Sequence, residues 1–106
     1  MARISTHILD IARGKPAAGI VVELHKGLEL LRQVKTTADG RTDAPLLEGS
    51  AIAVGTYDLR FHVGEYLPPP AFFQVISISF VVLDERANYH VPLLLAPHGY
   101  STYRGS

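Results

Sequence analysis

The sequence predicts an all-β fold, an antiparallel sandwich of two sheets with seven or eight short strands. Polar and apolar residues alternate in several short segments, which is the period of a half-buried strand. Turn-forming pairs such as Lys26-Gly27 and Asp39-Gly40 separate these segments. No segment keeps a helical period over its length. Many short strands joined by turns are typical of a β-sandwich.

Length, charge and composition narrow the functional class. The 106 residues predict a single domain, residues 1–106, and the 47% of hydrophobic residues fit a globular protein. Ten basic and ten acidic side chains balance, so no nucleic-acid partner is expected. Without a bilayer-length apolar run or a signal-peptide pattern, we expect a cytoplasmic protein and no membrane partner. The lack of cysteine excludes disulfides and thiolate chemistry.

Residues 3–9 form the first predicted strand. The alternation of side chains along a strand places Ile4 and Ile8 on one face and Ser5 and His7 on the other. His7 is therefore expected on the polar side of the sheet.

A second and a third strand are predicted at residues 20–25 and 28–35, on either side of the Lys-Gly turn. The third strand is expected to present one apolar face, made of Leu28, Leu30 and Val34. A loop with an Asp-Gly turn follows at residues 37–43, and Arg41 lies in it.

The second half of the chain continues the pattern. Residues 46–54 are less regular and have room for a short strand, whereas residues 56–63 alternate clearly. The inward side chains there are expected to be Tyr57, Leu59, Phe61 and Val63. Residues 72–83 are apolar on both faces, which is typical of a strand covered on both sides. A closing strand pair follows the polar turn at residues 84–88.

The C-terminal segment is unusual for a chain end. After a Pro-His-Gly turn at residues 97–99 come β-forming residues and then Tyr103, Arg104, Gly105 and Ser106. Most termini are frayed and dispensable, but a guanidinium beside a glycine and a hydroxyl suits contact with a ligand. The alternative is a structural edge strand with a polar tip.

Five histidines are present, at positions 7, 25, 62, 90 and 98. No pair has the local spacing of a metal clamp, so a metal site would have to be assembled from distant strands. We expect ordinary surface or hydrogen-bonded roles for His25 and His62, and a turn position for His98. No serine lies in a nucleophile elbow, and no phosphate loop or dinucleotide fingerprint is present.

Four stretches together resemble the 5-hydroxyisourate hydrolases, the transthyretin-like enzymes of urate breakdown. They are residues 5–10 with 13–17, residues 37–43, residues 57–64 and residues 89–106, and they cover nearly the whole chain in order. The ending Tyr103-Arg104-Gly105-Ser106 is the signature of that family. Transthyretin, the hormone carrier on the same fold, is similar through residues 100–102 but lacks the Arg-Gly-Ser ending.

The resemblance implies a fold and an assembly. The fold is the transthyretin-like antiparallel β-sandwich, and the assembly is a homotetramer, a dimer of dimers with its sites at the dimer–dimer interface. The family carries a short helix after the strand that corresponds to residues 57–64. Here only residues 65–71 follow, and Pro68, Pro69 and Pro70 are among them, so we expect this helix to be lost or reduced to a turn.

The resemblance also implies an activity, hydrolysis of the small molecule 5-hydroxyisourate without a metal or other cofactor. The implied catalytic residues are His7, His90 and Ser106. The implied substrate-binding residues are His7, Arg41, Tyr103, Arg104, Gly105 and Ser106. His7, assisted by His90, would activate water, and Arg41 and Arg104 would hold substrate oxygens. Which histidine is the base, and whether Ser106 orients water or acts as a nucleophile, stays open. The alternative function is a small-ligand carrier without catalysis.

Overall fold

Short β-strands in two layers build the fold of the computed structural model, which describes residues 2–106. The strands are β1 (Arg3–Ser5), β2 (Ile8–Asp10), β3 (Lys15–Pro16), β4 (Val21–Lys26), β5 (Glu29–Lys35), β6 (Leu47–Glu48), β7 (Gly55–His62), β8 (Val75–Val82), β9 (Asn88–His90), β10 (Leu93–Ala96) and β11 (Gly99–Thr102). This is the all-β sandwich that the sequence predicts, with some of the predicted strands divided into shorter pieces.

One layer is antiparallel, in the order β5-β4-β7-β8. The other layer has two sections, β6-β1-β9 and β11-β10-β2-β3. The N–H groups of Val91 and Leu93 donate to the carbonyl oxygens of Ser5 and His7, each at 2.9 Å, and so join the two sections. Because β1 pairs with β9 and β2 with β10 in parallel, this layer is mixed, and it brings the two ends of the chain together.

The core lies between the two layers. Tyr57, Leu59 and Phe61 on β7 are at most 1% exposed, as the alternation predicts. Ile4 and Ile8 from the mixed layer are fully buried against the same core. Burying such side chains contributes about 1.5–3 kcal/mol each, so these alternating positions account for much of the stability of the sandwich.

The first predicted strand, residues 3–9, is divided in the structure. β1 ends at Ser5, and β2 begins at Ile8. Between them the buried Thr6 donates its hydroxyl hydrogen to the carbonyl oxygen of Val91 at 2.7 Å. His7 thus lies at the break between β1 and β2 rather than inside a strand. Its carbonyl oxygen accepts the N–H of Leu93, the first residue of β10.

The single apolar face predicted for the third strand is divided in the structure: Val34 packs against the core, and the other two residues do not. Leu28 and Leu30 are exposed, whereas Leu31 and Val34 pack partly against the core. The β4–β5 register shifts by one residue at Leu31, which forms a β-bulge. Side chains along a strand alternate between the two faces of the sheet. One inserted residue therefore reverses the face on which the following side chains lie.

The proline-rich segment contains no helix, as predicted. A turn follows Val63, whose carbonyl oxygen accepts the N–H of Leu67 at 2.9 Å. Tyr66 then donates its hydroxyl hydrogen to the buried carboxylate of Asp10 at 2.7 Å, and burial together with this carboxylate raises the pKa of Tyr66. This hydrogen bond ties the short loop to the end of β2.

The less regular segment 46–54 contains β6 and a single 3-10 turn, Gly49–Ala51. That turn is the helical part of residues 2–106, and no helix there has the length and apolarity needed to cross a bilayer.

The outer face of the antiparallel layer carries a carboxylate shared by two imidazoles. Glu23 Oε1 lies 2.7 Å from His25 Nε2, and Glu23 Oε2 is hydrogen bonded to His62 Nε2. These bonds, the one from His25 first and then the one from His62, lower the pKa of Glu23 below its usual 4.5. Both histidines therefore have the hydrogen-bonded role that the sequence suggests.

Glu23→Gln is expected to lower the free energy of unfolding by about 1 kcal/mol at neutral pH, after allowance for partial exposure. Because the folded-state pKa of Glu23 lies below the unfolded value, its contribution is fully present above the unfolded pKa. That contribution is lost as the pH falls through the folded pKa. Urea unfolding at about pH 7 and about pH 3 measures this difference. Glu29→Gln, on the exposed part of β5, is the matched control. An equal loss at both pH values would contradict the role of the Glu23 charge.

Candidate functional site

A polar cavity of about 430 Å³ opens on the mixed layer. Residues of β1, β9, the loop 41–45 and the C-terminus surround it. Its lining comprises Arg3, Ser5, Thr6, Arg41, Thr42, Asp43, Ala44, Pro45, Asn88, His90 and Ser106. Positions from the start, middle and end of the chain thus form one site, as a result of the parallel pairing of β1 with β9.

His90 is held on two sides at the end of β9. Its Nδ1 lies 2.9 Å from Ser5 Oγ, and its carbonyl oxygen accepts the N–H of Gly105 at 2.7 Å. A Cβ atom at position 105 would lie 2.6 Å from His90 Cδ2, so only glycine fits against the ring. These contacts engage Nδ1, and within residues 2–106 no hydrogen bond to Nε2 is present.

The environment of His90 disfavours its charged form. Burial is the largest cause of the lowered pKa of His90, and the positive charges of Arg41, His7 and Arg3 add to it. A histidine with a depressed pKa is neutral at pH 7 and can accept a proton there. His90 is therefore suited to act as a general base.

The Asp-Gly turn brings Arg41 to the cavity beside His7. The carbonyl oxygen of Gly40 accepts the N–H of Ile8 at 2.8 Å, and that of Arg41 accepts the N–H of Thr37 at 2.7 Å. Gly40 has φ +73°, and a Cβ there would lie 2.4 Å from the Ile8 carbonyl oxygen and 3.2 Å from His7 Cδ2. Only a glycine lets the turn approach the strand break so closely.

The C-terminal residues divide between two surfaces. Gly105 packs against His90, and Ser106 lines the polar cavity. Arg104 turns away: its Nη2 donates to the Asn88 carbonyl oxygen at 3.1 Å, and its Cζ lies 4.4 Å from the centroid of the Tyr89 ring.

A second cavity, an apolar groove of about 480 Å³ between β8 and the C-terminal segment, is lined by Tyr103 and Arg104. The groove is larger than the polar cavity, but the Arg104 guanidinium that lines it already stacks on the Tyr89 ring. We take the polar cavity as the candidate site because it combines a neutral imidazole with free hydrogen-bonding groups.

Of the residues singled out in the sequence, His90, Arg41 and Ser106 line this cavity. His7 lies close enough to influence the pKa of His90, and Gly105 lies behind the His90 ring. The structure does not bring Tyr103 and Arg104 to the cavity. Their contact with a substrate stays a prediction.

Sequence reasoning did not single out the other residues that line the cavity, Arg3 and Ser5 among them. These two share a face with His7 in the predicted strand 3–9, which is the signal that could have pointed to them. The other possibility raised by the sequence was a metal site assembled from distant strands. Within residues 2–106, no three or more side chains of His, Cys, Asp and Glu are placed to hold a metal ion.

The model of the HIUase/Transthyretin family matches residues 4–105. A curated relative, 5-hydroxyisourate hydrolase 2 of Rhizobium meliloti, is 48% identical, and the alignment covers 98% of this chain and 96% of the relative.

Two solved structures are also similar. The 5-hydroxyisourate hydrolase of Klebsiella pneumoniae is 38% identical and has a TM-score of 0.87. The alignment covers 100% of this chain and 100% of the Klebsiella chain. Sea bream transthyretin, solved with thyroxine, has a TM-score of 0.88 over 98% of this chain and 95% of its own. At 21% identity, this second likeness concerns the fold alone. The family match over nearly the whole length, together with these relatives, shows that the chain belongs to the HIUase/Transthyretin family.

Proposed function

We propose that this chain hydrolyses 5-hydroxyisourate to 2-oxo-4-hydroxy-4-carboxy-5-ureidoimidazoline in urate degradation. The observation that carries the proposal is a half-buried His90 with a lowered pKa, at a cavity that also contains Arg41 and Ser106. The names of the Rhizobium and Klebsiella relatives support the same substrate.

The proposed reaction is attack of water on a ring amide. As the water oxygen bonds to the carbonyl carbon, His90 accepts a water proton at Nε2, and the carbonyl oxygen gains negative charge. The carbon–nitrogen bond then breaks as His90 passes the proton to the leaving nitrogen. The carboxylic acid that forms releases its own proton to solvent and remains as a carboxylate. General-base catalysis of this kind contributes about 10²–10⁴-fold. The resemblance implies His7 as the acceptor with His90 assisting, whereas the lowered pKa of His90 supports the reverse order of roles.

Arg41 and Ser106 complete the proposed site. The Arg41 guanidinium would hold the oxygens of the substrate and stabilise the developing oxyanion. The Ser106 hydroxyl would orient the water or the substrate rather than form a covalent intermediate. Direct substrate contacts of Tyr103 and Arg104 remain part of the prediction. The bonds of Arg104 to Asn88 and Tyr89 support a role in placing the last two residues.

The decisive experiment adds the protein to freshly oxidised urate and follows the loss of hydroxyisourate absorbance. We expect acceleration over spontaneous decay. Saturable binding of a substrate analogue without any acceleration would instead support the alternative, a small-ligand carrier on the same fold. Absence of both would overturn the assignment of this cavity.

Arg41→Gln is expected to move the acid limb of the pH profile to higher pH. The positive charge of Arg41 helps to lower the pKa of His90, so its removal raises that pKa, and the base form is then lost at a higher pH. Because oxyanion stabilisation is lost as well, kcat/KM should fall about 10²-fold. The profile of kcat/KM against pH measures both effects. Arg32→Gln, on exposed β5, is the control, and an unmoved limb in Arg41→Gln would contradict the coupling.

The proposal includes a homotetramer with the sites at the interface between its dimers. β8 and β11 are unpaired edges of their layers, and such edges need covering. Exposed apolar side chains lie along them, namely Val75, Val81, Leu83, Tyr100 and Tyr103. Light scattering should then give the mass of four 11.6 kDa chains.

The cytoplasmic location predicted from the sequence remains a proposal that cell fractionation tests.

A further inference from the structure

Ser5 makes a long-range hydrogen bond to a ring of the proposed active site. It ends β1, lies opposite His90 in the parallel register and places Oγ 2.9 Å from His90 Nδ1. The two residues are separated by 85 positions in the chain. Ser5 is half-buried and lines the polar cavity. The pairing of β1 with β9 therefore fixes the position of this hydroxyl beside the His90 ring.

The direction of this hydrogen bond decides what His90 can do. A neutral imidazole carries one hydrogen, and the partner of one nitrogen sets the state of the other. If Ser5 donates to Nδ1, the hydrogen of the ring is on Nε2, which then cannot accept a proton. If Ser5 accepts from Nδ1–H, Nε2 presents a lone pair to the cavity.

The second arrangement suits proton transfer better. When Nε2 accepts a proton, the Nδ1–H bond to Ser5 stays in place, so no group has to turn during the reaction. The serine oxygen also stabilises the imidazolium that forms. This matters because Arg3, His7 and Arg41 all oppose that charge. The acidic side chain that lines the cavity is that of Asp43.

We propose that Ser5 is a positioning residue whose hydroxyl accepts the Nδ1–H of His90 and thereby keeps the Nε2 lone pair at the cavity. The inference rests on the proposed hydrolysis for its kinetic consequence. The tautomer that it assigns to the His90 ring does not depend on that activity. This makes the two claims separable by experiment.

The kinetic test compares three variants. Ser5→Ala should lower kcat on the order of 10-fold, less than deletion of a general base, with a smaller change in KM. The acid limb of the pH profile should move to lower pH, because the imidazolium loses an acceptor. Ser5→Thr restores the hydroxyl and should recover most of kcat. Ser50→Ala, on the exposed 3-10 turn, is the matched control and should leave kcat unchanged.

The spectroscopic test uses ¹⁵N-labelled histidine, with the His90 signals assigned through His90→Asn. Above its pKa, His90 should carry its hydrogen on Nδ1 in the wild type and in Ser5→Thr. In Ser5→Ala the Nε2–H tautomer should become populated. An Nε2–H tautomer in the wild type, or identical spectra in Ser5→Ala, would overturn the inference. If the wild type shows the Nδ1–H tautomer but no hydrolysis, the positioning contact stands and the proposed function fails.

Discussion

Replacing either histidine of the proposed site by asparagine is expected to lower kcat/KM by about 10²–10⁴-fold while the fold persists. For His90 the reason is direct, since asparagine keeps polarity but cannot take a proton from water near pH 7. For His7 the reason is its assisting role in the proposed proton transfer, from a position beside Gly40 at the strand break. The hydroxyisourate assay measures turnover, and thermal melting reports the fold.

The control for these variants is His98→Asn. His98 lies in the turn between β10 and β11. It does not line the polar cavity. Its replacement should leave turnover close to that of the wild type. If His7→Asn and His90→Asn both retain most of the wild-type kcat/KM, the assignment of the base is wrong and the cavity must act by another group.

Sequence periodicity predicted the parts of the fold that depend on local pattern. The alternation in residues 56–63 gave the buried face of β7, because inward and outward positions on a strand differ only by parity. The three consecutive prolines predicted a helix-free connection because each lacks a backbone donor and restricts the residue before it. Both predictions hold without knowledge of the partner strands.

Tertiary pairing decided what periodicity could not. The bulge at Leu31 reverses the face of β5, and nothing local in that apolar stretch marks one residue as the inserted one. The contact of Ser5 with His90 exists only because β1 and β9 pair in parallel, a choice made across 85 residues. The direction of Arg104 depends likewise on where Tyr89 lies.

The site itself was predicted through resemblance more than through pattern. His7, Arg41 and His90 are separated widely in the sequence, and a lone histidine in a strand gives no indication of catalysis. The physical reason for their grouping is the mixed layer, which joins the first strand to the last third of the chain. Arg3 and Ser5 share the face of His7 in the predicted strand, but the pairing of Ser5 with His90 follows only from the register.

Removal of Gly105 and Ser106 is expected to abolish hydrolysis and leave a folded oligomer. Pairing of β10 with β11 ends at Thr102, and beyond it a single bridge between Gly105 and His90 connects the last two residues to a strand. They contribute directly to the site, since Gly105 donates to the His90 carbonyl oxygen and packs on its ring, and Ser106 lines the cavity. Small losses of geometry at such a site cost about 10²-fold or more. A chain made to end at Arg104 also carries a carboxylate on that residue.

One further variant separates these effects. Ser106→Ala keeps the backbone, so its loss of turnover measures the hydroxyl alone. Size-exclusion chromatography and thermal melting report the fold of each chain, and the hydroxyisourate assay reports function. Full activity of the truncated chain would show that the ending is dispensable. Loss of the oligomer together with activity would make the ending a structural strap, and the role proposed for Ser106 would lose its support.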